Sequence, residues 1–570
     1  MSMAKKSSRR KKRKLTPESL EGRRHKGAIR TSFMNCGFEH IPTRNVTIQV
    51  AGRDGDLDAL FSHENIMVIV EDTALSNQKK IKEHFQQKAE YFRHLSNNEQ
   101  ELLATLRSKS PKFRGYLQRH SRYSPAEFRF VYVYSPLRDI DSKYVDRHKD
   151  ICKCLDYARL QYFLSLSRTI HRSARFELLK FLGFDLQDIG IQMSGSQRYK
   201  YEGLLLPEVP SGFPRGHKIV SFLVDPKMLL EASYVLRSDS WRDEDCLYQR
   251  LLIRNKIRNM REFLTGKRRV YINNIIATLP DDTVLRDKEG QQVNVISPSK
   301  IQPVSIEFPK RFNAIGIIDG QHRIFSYHEG IDKLDSRIAP LREKQHLLVT
   351  GIVYPTSTTK PKKYRFEAEL FLEINDKQKR VKGDLKQAIE RIVNPCSAIA
   401  IARAVISELA TSGPLCGKLE VHFFDRGKIK TTSIVSYGMR HIVSLDTDHS
   451  FYRKWRGSDK QRIKSNPVVL KNYITYCSNQ INQFLAGFKQ KVPESLWTTD
   501  RKVSRALTTT TINGLIYCLR LLIINDKLGN YRYYESAFKR LQISFVPDDF
   551  SYKSSHWKQL GEAIYNQCFA

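Results

Sequence analysis

The segment from residue 319 to residue 323 combines side chains that can bind an anion. Its residues are, in order, Asp319, Gly320, Gln321, His322 and Arg323. An apolar run, residues 314–318, precedes it and residues 324–329 follow, so the pattern predicts a strand, a tight turn and a short helix ending at Gly330. Such a turn presents backbone N–H groups to an anion, glycine lets the anion approach closely, and arginine grips phosphate oxygens at two points. We predict that the loop binds the phosphates of ATP or another nucleoside triphosphate.

The same five residues are the motif of the DGQHR-domain proteins, and the chain resembles that family at this loop. The family includes the DndB and DpdB proteins of DNA phosphorothioation and deazaguanine-modification systems. Three further segments look like its flanking blocks, at residues 248–250, 269–276 and 371–378. The resemblance implies a fold related to the ParB and sulfiredoxin nucleotide-binding domains, whose loop of this type holds nucleotide phosphates. In the alternative interpretation Asp319 caps the helix, while His322 and Arg323 only tie the turn to neighbouring carboxylates.

A second candidate site combines two acidic residues. Asp58 follows an acidic turn, and Glu71 ends the apolar run 66–70. Carboxylates on adjacent strands can hold Mg²⁺ against a scissile phosphate. The pattern resembles that of the PD-(D/E)XK nucleases, with Asp58 and Glu71 in the metal-binding positions. It departs from that pattern at Thr73, which stands where the family usually has a lysine.

The helix predicted after this strand can supply the missing lysine. Its apolar stripe is formed by Ile81, Phe85, Ala89 and Phe92. Lys88 lies along the same face and can point back at the sheet. Gln87 and Tyr91 also match the Q-x-x-x-Y spacing of RecB-like nucleases. The sequence thus predicts Asp58, Glu71 and Lys88 as catalytic residues, with Mg²⁺ held by the two carboxylates. An inactive nuclease-like fold, or an ordinary hairpin with solvent-facing carboxylates, are the alternatives.

The elements that must position these residues suggest several domains. Between residues 30 and 190, short β-branched or aromatic runs alternate with helical stretches at about 77–106 and 144–182, so a nuclease-like αβ domain is expected there. A cluster of Pro and Gly at 207–216 marks a boundary. A ParB/sulfiredoxin-like DGQHR domain should follow at 215–400 and a mainly helical region at 401–570. The predicted class is a multidomain protein that combines α/β and α+β parts.

The charge of the chain favours a polyanionic partner. Its 570 residues include 96 Lys and Arg against 60 Asp and Glu, a net charge of +36. Basic residues also recur beyond the first 26 residues, which favours a nucleic-acid partner; the alternative is that the charge only keeps the surface soluble. Residues 1–26 are rich in Lys, Arg and Ser, so we expect a disordered, phosphate-binding arm. The same run would serve as a nuclear localisation signal in a eukaryote.

The distribution of cysteines and the hydropathy of the chain indicate in which cellular compartment the protein is expected. The nine Cys are scattered, and no apolar run is long enough to span a bilayer or to act as a secretory segment. We expect a soluble, reduced, cytoplasmic protein without a membrane partner.

Three functions are compatible with these features. The first is an enzyme of a DNA-modification or phage-defence system, in which a nucleotide-responsive DGQHR domain is joined to a metal-dependent DNA nuclease. The second is a non-catalytic DNA-binding regulator of such a system, as the resemblance to DndB allows. The third is a scaffold that binds other proteins of the operon. The first requires Asp58 and Glu71 to converge in space.

Overall fold

The computed structural model describes residues 17–43, 47–138, 140, 142–190, 198–237, 249, 251–376, 383–421, 425 and 427–570. These residues form two compact units. One runs to residue 178 and includes residues 187–190, and the other holds residues 179–186 and the chain from residue 198 onward. Both units contain helices and mixed sheets, so the predicted multidomain α/β class is confirmed at this coarse level.

The first unit is built around a five-stranded sheet. In chain order its elements are α1 (Pro17–Asn35), β1 (Glu39–Ile41), β2 (Ile48–Val50), β3 (Arg53–Gly55), β4 (Ala59–His63), β5 (Ile66–Thr73), α2 (Gln78–Ser96), α3 (Glu99–Lys109), α4 (Pro111–Arg119), β6 (Arg129–Pro136), α5 (Ser142–Asp146), β7 (Cys152–Cys154), α6 (Tyr157–Ile170) and the first residues of α7 (Arg175–Leu182), whose residues from 179 onward belong to the second unit. The strand order is β1-β4-β5-β6-β7, and β2 and β3 form a separate hairpin. β1, β4 and β5 pair antiparallel, whereas β6 and β7 continue the sheet in parallel.

The central strand β5 explains the order of the sheet. Its residues 66–71 are all buried, as expected for a strand covered on both faces. Because β6 runs parallel to β5, the chain needs a long crossover, which α2, α3 and α4 supply. The side chain of Asn77 caps α2 by accepting hydrogen bonds from the N–H groups of Lys79 and Lys80. The predicted apolar stripe of α2 is buried.

The second unit contains a larger sheet followed by helices. Its first elements are β8 (Arg198–Leu205), α8 (Glu208–Ser211), β9 (Lys218–Val224), α9 (Pro226–Ala232), β10 (Ser233–Tyr234), α10 (Arg254–Lys267), β11 (Ile275–Thr278), β12 (Val284–Arg286), β13 (Gln302–Pro309), β14 (Ile315–Asp319), α11 (Gln321–Phe325), α12 (Asp335–Lys344) and β15 (Leu347–Val353). The strand order is β10-β14-β11-β15-β9-β8-β13-β12. β14, which leads into the predicted phosphate loop, is parallel to β10 and antiparallel to β11.

The regular elements described after β15 are helices. The α-helices among them are α13 (Lys360–Asp376), α14 (Gly383–Val393), α15 (Ala398–Thr411), α16 (Arg440–Val443), α17 (Phe451–Lys454), α18 (Pro467–Lys491), α19 (Thr509–Ile524), α20 (Tyr531–Phe538) and α21 (Trp557–Cys568). A continuous apolar core joins α15, α18, α19, α20 and α21. Within the described ranges, no single helix is both long and apolar enough to cross a membrane.

The structure differs from the predicted boundaries at three places. α1 begins at Pro17, so residues 17–26 are helical and not a disordered arm; residues 1–16 lie outside the described residues. The Pro and Gly cluster at 207–216 is no domain boundary, because β8 before it pairs with β9 after it. The helical stretch predicted at 77–106 is two helices that separate at residues 97–98, and the stretch at 144–182 contains the strand β7.

Candidate active site

The two acidic residues predicted from sequence lie side by side at one end of the first sheet. Ala59, the first residue of β4, pairs with Val70 of β5, so the register places Asp58 beside Glu71. The backbone N–H of Asp58 lies 3.4 Å from Glu71 Oε1. The convergence that the enzyme hypothesis requires is therefore present.

The lysine expected from the following helix reaches the same place. Lys88 Nζ on α2 lies 2.7 Å from Glu71 Oε2 and 3.6 Å from Asp56 Oδ1. The pair is enclosed, since the side chain of Lys88 is 20% exposed and that of Glu71 is 2% exposed. Thr73 lies two residues after Glu71 and therefore on the same face of β5, and its hydroxyl oxygen accepts a hydrogen bond from the N–H of Leu75 at 3.3 Å. The helix thus supplies the cation that the strand lacks.

Burial dominates the electrostatics of these carboxyl groups. It raises the pKa of Glu71 to about 7, against the opposing effect of Lys88 and with a contribution from the charge of Asp58. It also raises the pKa of Asp72 to about 6, with Asp58 again adding repulsion. Burial alone would lower the pKa of Lys88, but the ion pair with Glu71 and the charges of Asp56 and Asp58 together outweigh it and raise that pKa. Lys88 is therefore charged at neutral pH, and the carboxylates would gain from a further cation.

Two residues of this cluster were missed from the sequence. Lys26 Nζ on α1 lies 3.1 Å from Asp58 Oδ1 and 3.2 Å from Asp72 Oδ1. Asp72 also donates its backbone N–H to Asp58 Oδ2, at 3.1 Å. The sequence carried a signal for α1, because the buried residues His25, Ile29 and Phe33 recur every four positions. The basic composition around them led to the prediction of a disordered arm instead.

Two more polar side chains of α2 share the face of Lys88. His84 lies one turn before it, and its Nδ1 is 2.9 Å from the hydroxyl of Tyr134 on β6. Tyr91 lies three residues after Lys88 and packs so closely on Gly55 of β3 that a side chain at Gly55 would collide with it. Burial, with the charges of Glu71 and Asp56, raises the pKa of Tyr91 to about 12, so it keeps its proton.

The donor set fits the predicted Mg²⁺. Mg²⁺ binds carboxylate oxygens and is often held by one or two carboxylates, with water and substrate phosphate completing its shell. Asp58 and Glu71 would supply that pair. No cluster of three or more His, Cys, Asp or Glu side chains arranged for a metal ion occurs among the residues that the structure describes.

The predicted phosphate loop has the expected strand and turn and a short helix, but the helix ends at Phe325 and not at the predicted Gly330. β14 ends at Asp319, Gly320 adopts a φ of 103°, and α11 begins at Gln321. A Cβ on Gly320 would lie 2.9 Å from Ile275 Cγ1, so both conformation and space call for glycine. Arg323 Nη2 lies 2.7 Å from Asp319 Oδ2, within the same turn. Asp319 does not cap the helix, which overturns that half of the alternative interpretation.

The other two residues of the loop contact their surroundings in unit two. Gln321 Oε1 accepts a hydrogen bond from Arg237 Nε at 3.2 Å, and His322 Nε2 lies 3.4 Å from the N–H of Ile253. Burial lowers the pKa of His322 to about 4, and the positive charges of Lys256, Arg237 and Arg323 lower it further. His322 is thus neutral at physiological pH and surrounded by cations. Of the predicted flanking blocks, residues 275–276 lie on β11 beside β14 and residues 371–376 on α13, while 248, 250, 377 and 378 lie outside the described residues.

No match is found among family models, curated proteins or solved structures.

The two sites differ in chemical character. The end of the first sheet has more acidic than basic groups, which suits a divalent cation: in the part of the chain that the structure describes, only Lys26 and Lys88 face the four residues Asp56, Asp58, Glu71 and Asp72. Around the loop after β14 the excess is basic, which suits an anion.

Proposed function

We propose that the first unit hydrolyses phosphodiester bonds of DNA in a Mg²⁺-dependent reaction at Asp58, Glu71 and Lys88. The observation that carries the proposal is the contact of Lys88 Nζ with Glu71 Oε2 at 2.7 Å, next to Asp58, which directly precedes the adjoining strand β4. Asp58 before β4, Glu71 on β5 and Lys88 on α2 meet at one end of the sheet. This is the arrangement expected from the resemblance to PD-(D/E)XK nucleases.

Each residue has a role that follows from its charge and position. Asp58 and Glu71 would hold Mg²⁺, which supplies positive charge at the scissile phosphate when bound. Lys88 stays protonated, so its ammonium group can orient the attacking water or stabilise a phosphate oxygen. Tyr91 also keeps its proton and remains a hydrogen-bond donor. Hydrolysis forms one bond from the water oxygen to phosphorus, breaks one P–O bond of the diester, and leaves a phosphate monoester and a hydroxyl end.

The wider setting is part of the same proposal. A net charge of +36 supports a nucleic-acid substrate. The DGQHR resemblance supports a role in a DNA-modification or phage-defence system of the cytoplasm, beside other proteins of the same operon. The second unit would then be a ParB/sulfiredoxin-like domain, followed by its helical region.

A second activity is favoured by the loop after β14. We infer that it binds a nucleoside triphosphate through its phosphates, because Lys256, Arg237 and Arg323 all place positive charge around His322. The Arg323–Asp319 contact would then be exchanged for a contact with phosphate. Calorimetric titration with ATP and other triphosphates tests this, and Arg323→Ala should weaken binding by about 1.5–3 kcal/mol, the range for a charged hydrogen bond. Unchanged binding by folded Arg323→Ala would show that Arg323 only ties the turn.

A cleavage assay tests the nuclease proposal. The full chain is incubated with modified and unmodified plasmid DNA in Mg²⁺, in Mn²⁺ and in EDTA. Asp58→Asn and Glu71→Gln should each abolish cleavage while DNA binding persists, whereas Glu90→Gln on the exposed side of α2 should cleave normally. Cleavage that survives Glu71→Gln would place the chemistry elsewhere. Absence of cleavage by the wild type on every substrate would favour the non-catalytic regulator.

A further inference from the structure

Helix α1 is fixed against the candidate active site. His25 is buried, and its Nε2–H donates to the backbone carbonyl of Ser135, near the end of β6, at 2.9 Å. Two turns later, Phe33 stacks on Phe61 of β4 with ring centroids 4.5 Å apart. Because both ends of this stretch are anchored on the sheet, the turn that carries Lys26 has a defined position.

Lys26 is the accessible cation of the cluster. Its side chain is 58% exposed, compared with 20% for Lys88. An ammonium group has three N–H donors. Asp58 Oδ1 and Asp72 Oδ1, at 3.1 and 3.2 Å, account for two of them. The third is available to a group that approaches from solvent beside the carboxylates.

Two exposed arginines continue the same face of α1. Arg23 and Arg30 lie three residues before and four residues after Lys26, the spacings that place side chains on one side of a helix. Seven residues of helix span about 10 Å. Neither arginine forms an ion pair with any residue in the described part of the chain. Arg23, Lys26 and Arg30 are called the α1 basic row below.

We propose that the α1 basic row is the surface on which the substrate DNA strand lies, with the third N–H of Lys26 donating to a phosphate next to the scissile one. The proposal rests on the hydrolysis proposed for Asp58, Glu71 and Lys88, and it divides the work between two lysines. Lys26, exposed and at the rim, binds the strand, while Lys88, enclosed and held by Glu71, acts at the reacting phosphate. The positive row complements the phosphate backbone, which carries one charge per about 1.7 Å of duplex.

The test is equilibrium DNA binding by the full chain over a salt series, in Ca²⁺ and without Mg²⁺. The probes are a labelled single-stranded oligonucleotide and the duplex of the same sequence. The variants are Lys26→Gln and the double variant Arg23→Gln/Arg30→Gln. The matched control, Arg107→Gln/Arg129→Gln, removes two exposed charges elsewhere; Arg129 begins β6, at the opposite end of the sheet from Glu71.

The salt dependence gives the expected result in numbers. Each lost phosphate contact should reduce the slope of log K against log salt by about 0.7 for single strands or about 0.9 for duplex. The slope for Lys26→Gln should therefore decrease by the amount expected for about one phosphate contact, and the slope for the double variant by the amount expected for about two. Affinity should fall by the same factor for every DNA sequence, because phosphate contacts carry no sequence information. The control should keep the slope of the wild type.

Other results would overturn the proposal. An equal change of slope in the control would show that the α1 basic row contributes only as general surface charge. A lower melting temperature for Lys26→Gln with an unchanged slope would make Lys26 a structural partner of Asp58 and Asp72. The assay involves no cleavage, so its outcome is separate from that of the nuclease proposal: the expected slopes would support the surface even if no DNA were cut.

Discussion

The buried carboxyl group of Glu71 should make strand β5 less stable as the pH rises. Burial raises its pKa to about 7, from an ordinary value of 4.5. A carboxyl group with a higher pKa in the folded state than in the unfolded state contributes stability that is complete below the unfolded pKa and is lost as the pH rises through the folded pKa. The difference of about 2.5 pKa units, at about 1.36 kcal/mol per unit, amounts to roughly 3 kcal/mol. The loss should be complete above about pH 8.

Glu71→Gln removes this titration and nearly preserves the shape of the side chain. Hydrogen exchange of β5 peptides in the full chain, measured by mass spectrometry and corrected for intrinsic rates, gives the free energy of opening. For the wild type, the free energy of opening should fall by about 3 kcal/mol more than for the variant between about pH 4 and 8. Saturating Mn²⁺ should restore the free energy of opening of the wild type at pH 8. It should leave the free energy of opening of Glu71→Gln unchanged. Glu90→Gln, on the exposed side of α2, should behave as the wild type.

Two results would refute this reasoning. If Glu71→Gln kept the pH dependence of the wild type, the carboxyl group would not be the origin of the loss. If Mn²⁺ stabilised the variant as strongly as the wild type, Glu71 would not be a metal ligand.

Three further predictions concern single side chains. Lys88→Ala should slow cleavage about 100- to 1,000-fold, as for loss of a charge-stabilising donor, with Mn²⁺ affinity retained; Thr73→Ala should leave the rate unchanged, and single-turnover kinetics measures both. His322 should add no pH dependence to nucleotide affinity between about pH 5.5 and 8, because its pKa of about 4 lies below that window; His322→Asn should therefore follow the pH profile of the wild type in calorimetry, in which only the terminal phosphate, with a pKa of about 6, titrates. Gly320→Ala should destabilise the second unit by about 1–3 kcal/mol in denaturant titrations, since its φ of 103° and the nearby side chain of Ile275 exclude a Cβ.

The convergence of Asp58, Glu71 and Lys88 could be predicted because it depends on local rules. A strand alternates its side chains and a helix repeats every 3.6 residues, so the faces of β5 and α2 follow from sequence spacing. Lys26 and Asp72 were missed for a different reason. Whether α1 packs on the sheet depends on burial of His25, Ile29 and Phe33 against residues far along the chain, and local basic composition pointed the other way.

The domain boundary was wrong for a similar reason. A Pro- and Gly-rich segment has the same composition whether it links two domains or connects two strands of one sheet. The pairing of β8 with β9, which decides the matter here, is a property of the fold and leaves no local pattern. The prediction that strands are followed by helices depends on periodicity over longer stretches, and such a signal is less sensitive to single residues than the composition of a short segment.

Supplying the lysine of the site from α2 changes which insertions and deletions the sequence can tolerate. The apolar stripe of α2 sets how the helix is rotated on the sheet, and Lys88 lies within the stripe. Adding a residue to the connection at 74–77 leaves the stripe and the lysine in register with each other. Adding one between Ile81 and Lys88 turns the lysine by about 100° relative to the residues before it and away from Glu71. During evolutionary divergence of the sequence, the length of the connection at 74–77 is therefore free to vary. The spacing between Ile81 and Lys88 in α2 is not.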